Sequence, residues 1–291
     1  MIYTIENEAL KVQISDRGAE LMSIQTKDGT EYLWQGDEAY WGDRALNLFP
    51  YIARLTEGKY TLDGRTYHMD IHGFVKGSVL EVQEQEADRI VFRLTQSEET
   101  LKQYPFDFVY RIRYELEGSR LSVVFSVENP NGRTMYFGIG GHPGFFVPME
   151  EGLAFEDYYL QFDEEKNPVR VGISPTCFVD GNDREYPLAE GGKLPLAHSL
   201  FDDDAIVLRD MAKAVTIKSD CGSKAVRVEY PGMDYLGIWH MPHTDAPYVC
   251  IEPWSSLPSR QDVVEDLSTQ PGLVHLPAGE TYENRWVIRI F

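Results

Sequence analysis

The sequence predicts an all-β chain folded as one large antiparallel β-sandwich. Apolar residues recur with period two along most of the chain, and helical periodicity is scarce. No strand–helix rhythm appears, which disfavours a parallel α/β sheet.

The elements follow in order. Tyr60-Thr61-Leu62 and Arg65-Thr66-Tyr67 flank Asp63-Gly64, a two-residue turn that requires positive φ. Leu80 and Val82 match Ile90, Phe92 and Leu94 across a polar turn. Glu98 to Tyr104 can form a turn or two of helix. Tyr110, Ile112, Tyr114 and Leu116 alternate with Arg111, Arg113 and Glu115. After the turn Glu117-Gly118-Ser119, Leu121, Val123, Phe125 and Val127 return, giving a hairpin with one buried and one wetter face. Val215 and Ile217 face Val226, Val228 and Tyr230. Arg260 to Leu267 is the second short helical candidate. Trp286, Ile288 and Ile290 close the chain in alternation. These strands outnumber those of an immunoglobulin-type domain. No composition break, low-complexity tract or repeat interrupts them, so residues 1–291 are expected to form a single domain.

Composition excludes several functions. Lys plus Arg is 27 and Asp plus Glu is 47, a net charge of −20 over 291 residues. Nucleic acid and anionic membrane surfaces are held by clustered Lys and Arg, so neither is an expected partner. No apolar run approaches the roughly 20 residues that span a bilayer. The start, Met1-Ile2-Tyr3-Thr4-Ile5-Glu6, has neither the basic nor the apolar region of a secretory signal. Three cysteines without a C-x-x-C pattern fit a reducing cytoplasm better than a disulfide scaffold. A monomer or an isologous homodimer is expected.

Five stretches break the alternation with polar residues in apolar or glycine-rich surroundings. They are Phe49 to Arg54, His68 to Phe74, Gly140 to Phe146, Leu200 to Val207 and Tyr248 to Trp254. In the last, Val249 and Ile251 face the core, so Glu252 shares a face with Cys250. A carboxylate there loses water unless something donates to it; the alternative is a rim glutamate paired with an arginine. His142 sits between Gly141 and Pro143, with Gly140 and Gly144 allowing another group to come close. Its alternative is a core histidine bonded to a backbone carbonyl. Arg54 is either a forked donor in a pocket or a salt-bridge partner. His68 and His72 share a spacing that could hold a metal, but no third ligand supports it, and no metal is expected. Asp202-Asp203-Asp204 lacks the spaced ligands of a calcium loop. Phosphate-binding glycine motifs and a serine-hydrolase elbow are missing.

Taken together, the five stretches resemble the aldose 1-epimerase (galactose mutarotase-like) family, nearest to its LacX-like branch. The likeness runs through nearly the whole chain, with the motifs in the family's order: arginine, histidine–glycine, histidine, aspartate, glutamate. It implies a two-sheet β-supersandwich and interconversion of the α and β anomers of a free aldose. By motif, the resemblance makes Glu252 the general base and His142 the general acid. His72 and Arg54 become substrate-holding residues, and Asp204 the carboxylate that takes sugar hydroxyls, with Asp203 its rival by one residue. Trp34, Phe74, Trp239 and Trp254 are candidates to cover a sugar's apolar face, the alternative for each being a place in the core. No cofactor is implied. The sequence departs from the better-known members at Gly141 and Ala53, where they carry asparagine, which bears on sugar identity and leaves a phosphorylated hexose open. Two other readings stand beside this one: a non-catalytic sugar-binding or sensing protein, and a glycoside hydrolase using Asp204 and Glu252.

Overall fold

The computed structural model describes Met1–Phe291. Two antiparallel sheets dominate it, one of nine strands and one of seven, with smaller sheets of three, two and two strands beside them. The predicted hairpin is central to the larger sheet. Val109–Glu117 pairs with Arg120–Glu128 in a register that sets Ile112 opposite Phe125 and Tyr114 opposite Val123. Thr281–Ile290 pairs with the far side of Arg120–Glu128. Ala214–Ser219 and Val226–Glu229 form the second predicted hairpin, pairing Val215 with Val228.

The smaller hairpin also forms, Lys59–Leu62 on Arg65–His68. Its turn residues Asp63 and Gly64 have φ of 51° and 72°, the positive values a two-residue turn demands. Of the two helical candidates, only Glu98–Gln103 is a helix, capped by the Ser97 side chain on the Thr100 N–H. The second is not helical, because Asp262 has φ of 58° and the Arg260 guanidinium folds locally onto Glu265. No helix is long and apolar enough to cross a membrane.

The seven-stranded sheet carries the site. Five of its strands are numbered here along the chain: β1 Ala45–Leu48, β2 Gly140–Phe146, β3 Ile206–Arg209, β4 Tyr235–Trp239 and β5 Tyr248–Trp254. Their order across the sheet is β3-β4-β5-β2-β1. Ile206, Ile238, Val249 and Ile251 point toward the nine-stranded sheet and join Tyr110, Ile112 and Ile288 in one core cluster of 65 buried residues. Full burial of each such side chain stabilises by roughly 1.5–3 kcal/mol.

The alternate residues of these strands point the other way. Leu46, Leu48, Val207 and Trp254 form a second buried cluster, and Trp34, Tyr248 and Cys250 a third. This outer face is therefore covered too, which is why β5 is buried along its whole length. Loops provide the cover. Polar side chains on this face are enclosed without entering the main core, and Glu252 and His142 are among them.

Candidate active site

Glu252 lies on the outer face of β5, two residues from Cys250 and two from Trp254, and is 1% exposed. β2 runs antiparallel beside β5 and places His142 on the same face. His142 Nε2 is 3.1 Å from Glu252 Oε2, in contact but without the alignment of a hydrogen bond. His142 Nδ1 is buried with no well-aligned partner, and the only backbone group that acts on the ring is that of His142 itself, so no neighbouring carbonyl ties it into the core. Nor is Glu252 a rim glutamate: no arginine reaches it. Burial raises the Glu252 pKa well above the carboxylate range, and the Asp204 charge adds to the rise. Burial drives His142 the other way, down to about 3, with the Lys76 ammonium contributing.

The aromatic surround is built around glycine. Trp41 lies tilted over the His142 ring at 4.8 Å, and Trp239 meets it edge-on at 5.6 Å. A Cβ on Gly237 would come 2.8 Å from the Trp254 ring, and one on Gly140 would come 2.9 Å from it. Glycine at both positions is what lets the indole lie flat against the sheet.

The open side is a cavity of about 290 Å³. His142, Glu252 and Trp254 form its strand-borne floor, and Arg54, His72 and Asp204 reach it from loops. The segments bearing His72 and Arg54 clamp each other. The His72 N–H donates to the Ala53 carbonyl at 2.9 Å, and the Ala53 N–H donates to His72 Nδ1 at 3.1 Å. That second bond makes Nδ1 the acceptor, so neutral His72 carries its hydrogen on Nε2. Burial, then the charges of His142, Lys76 and Arg54, push His72 well below the usual imidazole value, which keeps it neutral. Both Ala53 and His72 have positive φ, 53° and 65°, and Gly73 follows at 70°. Gly73 is obligatory, because a Cβ there would lie 2.3 Å from the Phe49 carbonyl oxygen.

Arg54 is exposed at the rim and pairs with no carboxylate; its guanidinium also lies against the Cys177 thiol. Of the aspartate run, Asp204 lines the cavity, whereas Asp202 and Asp203 are exposed and open only onto a neighbouring polar hollow of about 410 Å³. Backbone conformation separates Asp204 from its neighbours, with φ of 70° turning it inward.

Two of the four aromatic candidates take the core alternative. Trp34 packs in the third buried cluster, and Phe74 in the main core against Phe49 and Phe108. Trp239 and Trp254 do line the cavity, and Trp41 joins them. Trp41, Asp43, Lys76 and Cys177 were missed by sequence reasoning. Only Lys76 carried a usable signal, four residues after His72 and across a glycine turn. A metal held by His68 and His72 is not supported, since His68 is exposed on its hairpin. The one trio with metal-ligating spacing is His142, Cys250 and Glu252, whose ligand atoms lie within 4.8 Å of one another.

Known proteins share this arrangement of chain. The family model for aldose 1-epimerase matches residues 1–289. The chromosomal protein LacX of Lactococcus lactis subsp. lactis is 32% identical, the match covering 100% of this chain and 99% of LacX. A galactose mutarotase related enzyme from Lactobacillus acidophilus superposes with a TM-score of 0.95 at 35% identity, covering 100% of this chain and 97% of that one. A galactose mutarotase-like protein from Lactobacillus casei gives a TM-score of 0.95 at 32% identity, with both chains covered fully. With the predicted β-supersandwich in place and the family's model matched almost end to end, this chain belongs to the aldose 1-epimerase family.

Proposed function

We propose that the protein is a mutarotase that interconverts the α and β anomers of a free hexose. The observation that carries this is the buried contact between Glu252 and His142 on the floor of a cavity rimmed with hydrogen-bonding side chains.

The two groups titrate as a unit. Burial raises Glu252 and lowers His142, so around neutrality the pair holds one proton. One member is then always a base and the other an acid. At rest that proton sits on Glu252; passed across the 3.1 Å contact to the imidazole, it arms the pair, and Glu252 takes the C1 hydroxyl proton while His142 gives its own to the ring oxygen. The bond from C1 to the ring oxygen breaks and the open aldehyde remains. Rotation about C1–C2 presents the other carbonyl face. On reclosure Glu252 returns its proton to the carbonyl oxygen and His142 removes one from the attacking hydroxyl. Protons and bonds balance, and each positioned group supplies about 10²–10⁴-fold. His72 through Nε2–H and Arg54 serve as donors to the sugar, Asp204 takes its hydroxyls, and Trp254 covers its apolar face. Three unpaired cysteines suit a cytoplasmic setting.

A second substrate reading, a hexose phosphate, is favoured by one observation. Lys76 joins Arg54 at the cavity, and neither forms an ion pair. A phosphate would take both charges.

Polarimetry on freshly dissolved α-D-galactose and α-D-glucose tests the reaction as a rate above the buffer background. Acceleration supports the isomerase, and sugar binding without acceleration supports a sensor instead. Replacing Lys76 with Met separates the substrates. The hexose phosphate reading requires a loss confined to glucose 6-phosphate.

A further inference from the structure

The cavity contains a thiol that the acid–base mechanism does not use. Cys177 lines it, half-buried, on the loop between Ile173 and Val179. Its Sγ donates to Asp204 Oδ2 at 2.8 Å. The other carboxylate oxygen, Oδ1, accepts from the Ala205 N–H at 2.8 Å. Each oxygen of Asp204 thus has one protein donor, and a carboxylate with about four lone-pair sites keeps two for other donors.

The backbone is unusual at both ends of this bond. Cys177 has φ of 68° and Asp204 has φ of 70°. Positive φ is uncommon outside glycine, and it persists where the surroundings over-determine it. The Cys177 loop is so determined. The Cys177 N–H donates to the Ser174 carbonyl at 2.8 Å, and the Ser174 N–H donates to the Phe178 carbonyl at 2.8 Å. From behind, Gln261 Oε1 takes the hydroxyls of Ser174 at 2.6 Å and Thr176 at 2.8 Å. The loop holds the thiol rather than the reverse.

We infer that Cys177 is a positioning residue that fixes the Asp204 carboxylate to receive sugar hydroxyls. This rests on the reading of Asp204 as a sugar ligand. Burial and the adjacent carboxylate push the thiol up to about 11, so Cys177 keeps its proton near neutrality and serves as a donor rather than a nucleophile. It acts on binding, and the Glu252–His142 pair is untouched.

The test uses the full chain in four forms: wild type, Cys177→Ala, Cys177→Ser and Asp204→Ala, plus the Cys177→Ala/Asp204→Ala double variant. D-Galactose is titrated against the fluorescence of the cavity tryptophans, and KM and kcat are taken by polarimetry. Cys177→Ala should weaken binding and raise KM about tenfold, as expected for a lost bond to a charged group. Its kcat should stay within about twofold, since the reacting pair is intact. Cys177→Ser keeps a donor and should recover most of the affinity. The double variant should bind no worse than Asp204→Ala, because both remove the same interaction. Unchanged affinity in Cys177→Ala, beside a loss in Asp204→Ala, overturns the assignment while leaving the sugar site standing. Equal loss in the Ser and Ala variants also overturns it, since packing and not donation would then matter. Unchanged affinity in Asp204→Ala removes the sugar-ligand reading itself, and this inference with it.

Discussion

Replacing Glu252 with Gln should cut the rate and raise the stability in one step. The amide keeps the shape of the carboxyl group but cannot accept a proton. A positioned base is worth about 10²–10⁴-fold, which is about 2.7–5.4 kcal/mol in the barrier. The stability gain follows from burial. Glu252 is 1% exposed, and its pKa is raised in the fold by burial first and by Asp204 second. The folded protein therefore holds that proton more tightly than the unfolded chain. Its contribution to stability is complete below the ordinary carboxylate value and is lost as pH rises toward the raised value. Gln has no proton to lose. The stability gap between variant and wild type should open with pH by up to about 1.4 kcal/mol per unit above about 4.5, until the raised value is reached. For a chain of this size each such step is roughly 2–5 °C in Tm. Polarimetry on α-D-galactose reads the rate, and thermal unfolding between about pH 5 and 8 reads the gap. A Gln variant keeping more than about a tenth of the rate, or a gap that does not change with pH, would refute the reasoning.

Further outcomes are expected. The rate should hold from neutrality down to about pH 5, because His142 is pushed to about 3 and not left in the usual imidazole range, and should fall on the alkaline side as the pair loses its only proton; an acid limb near about 6.5 would contradict this. Stability should fall as pH drops below about 6.5, since His142, His72 and His240 all bind protons less well folded than unfolded, which acid titration of the Tm would record. Gly73→Ala should destabilise by more than about 2 kcal/mol and weaken sugar affinity, because its Cβ would meet the Phe49 carbonyl at 2.3 Å and displace His72; denaturant unfolding and a sugar titration report the two effects. EDTA should leave the rate unchanged; a loss reversed by Zn²⁺ would mean that His142, Cys250 and Glu252 hold a metal in the working protein.

The fold was legible where residues make their contacts with near neighbours in sequence. Tyr110 to Val127 alternates because both strands share one buried face, and its turn closes within a few residues. Asp63-Gly64 announced its own backbone angles. The Arg260 to Leu267 stretch misled, because nothing in its sequence marks the positive φ at Asp262, and its guanidinium bonds a carboxylate five residues on, a spacing that helix faces do not pair. In the site, Glu252 and His142 stood out as polar residues interrupting apolar strands. Asp203 and Asp204 could not be told apart, since the choice lies in a positive φ that no neighbouring residue encodes. Trp41 and Cys177 were invisible for another reason. Trp41 lies over a histidine about a hundred residues later, and Cys177 meets an aspartate 27 residues on. Such meetings are properties of the closed sheet and its loops.

The division between floor and rim has an evolutionary consequence. Glu252, His142 and Trp254 stand on strands whose opposite faces belong to the main core, so a change in their placement would have to pass through the packing of the whole sandwich. Arg54, His72, Cys177 and Asp204 stand on loops and turns whose backbones are tied locally. On the proposed mutarotase reading, selection can therefore exchange the sugar that is recognised without re-solving the chemistry. Grafting the 172–180 loop from a relative should carry over a preference among aldoses while the reacting pair stays where the sheet holds it.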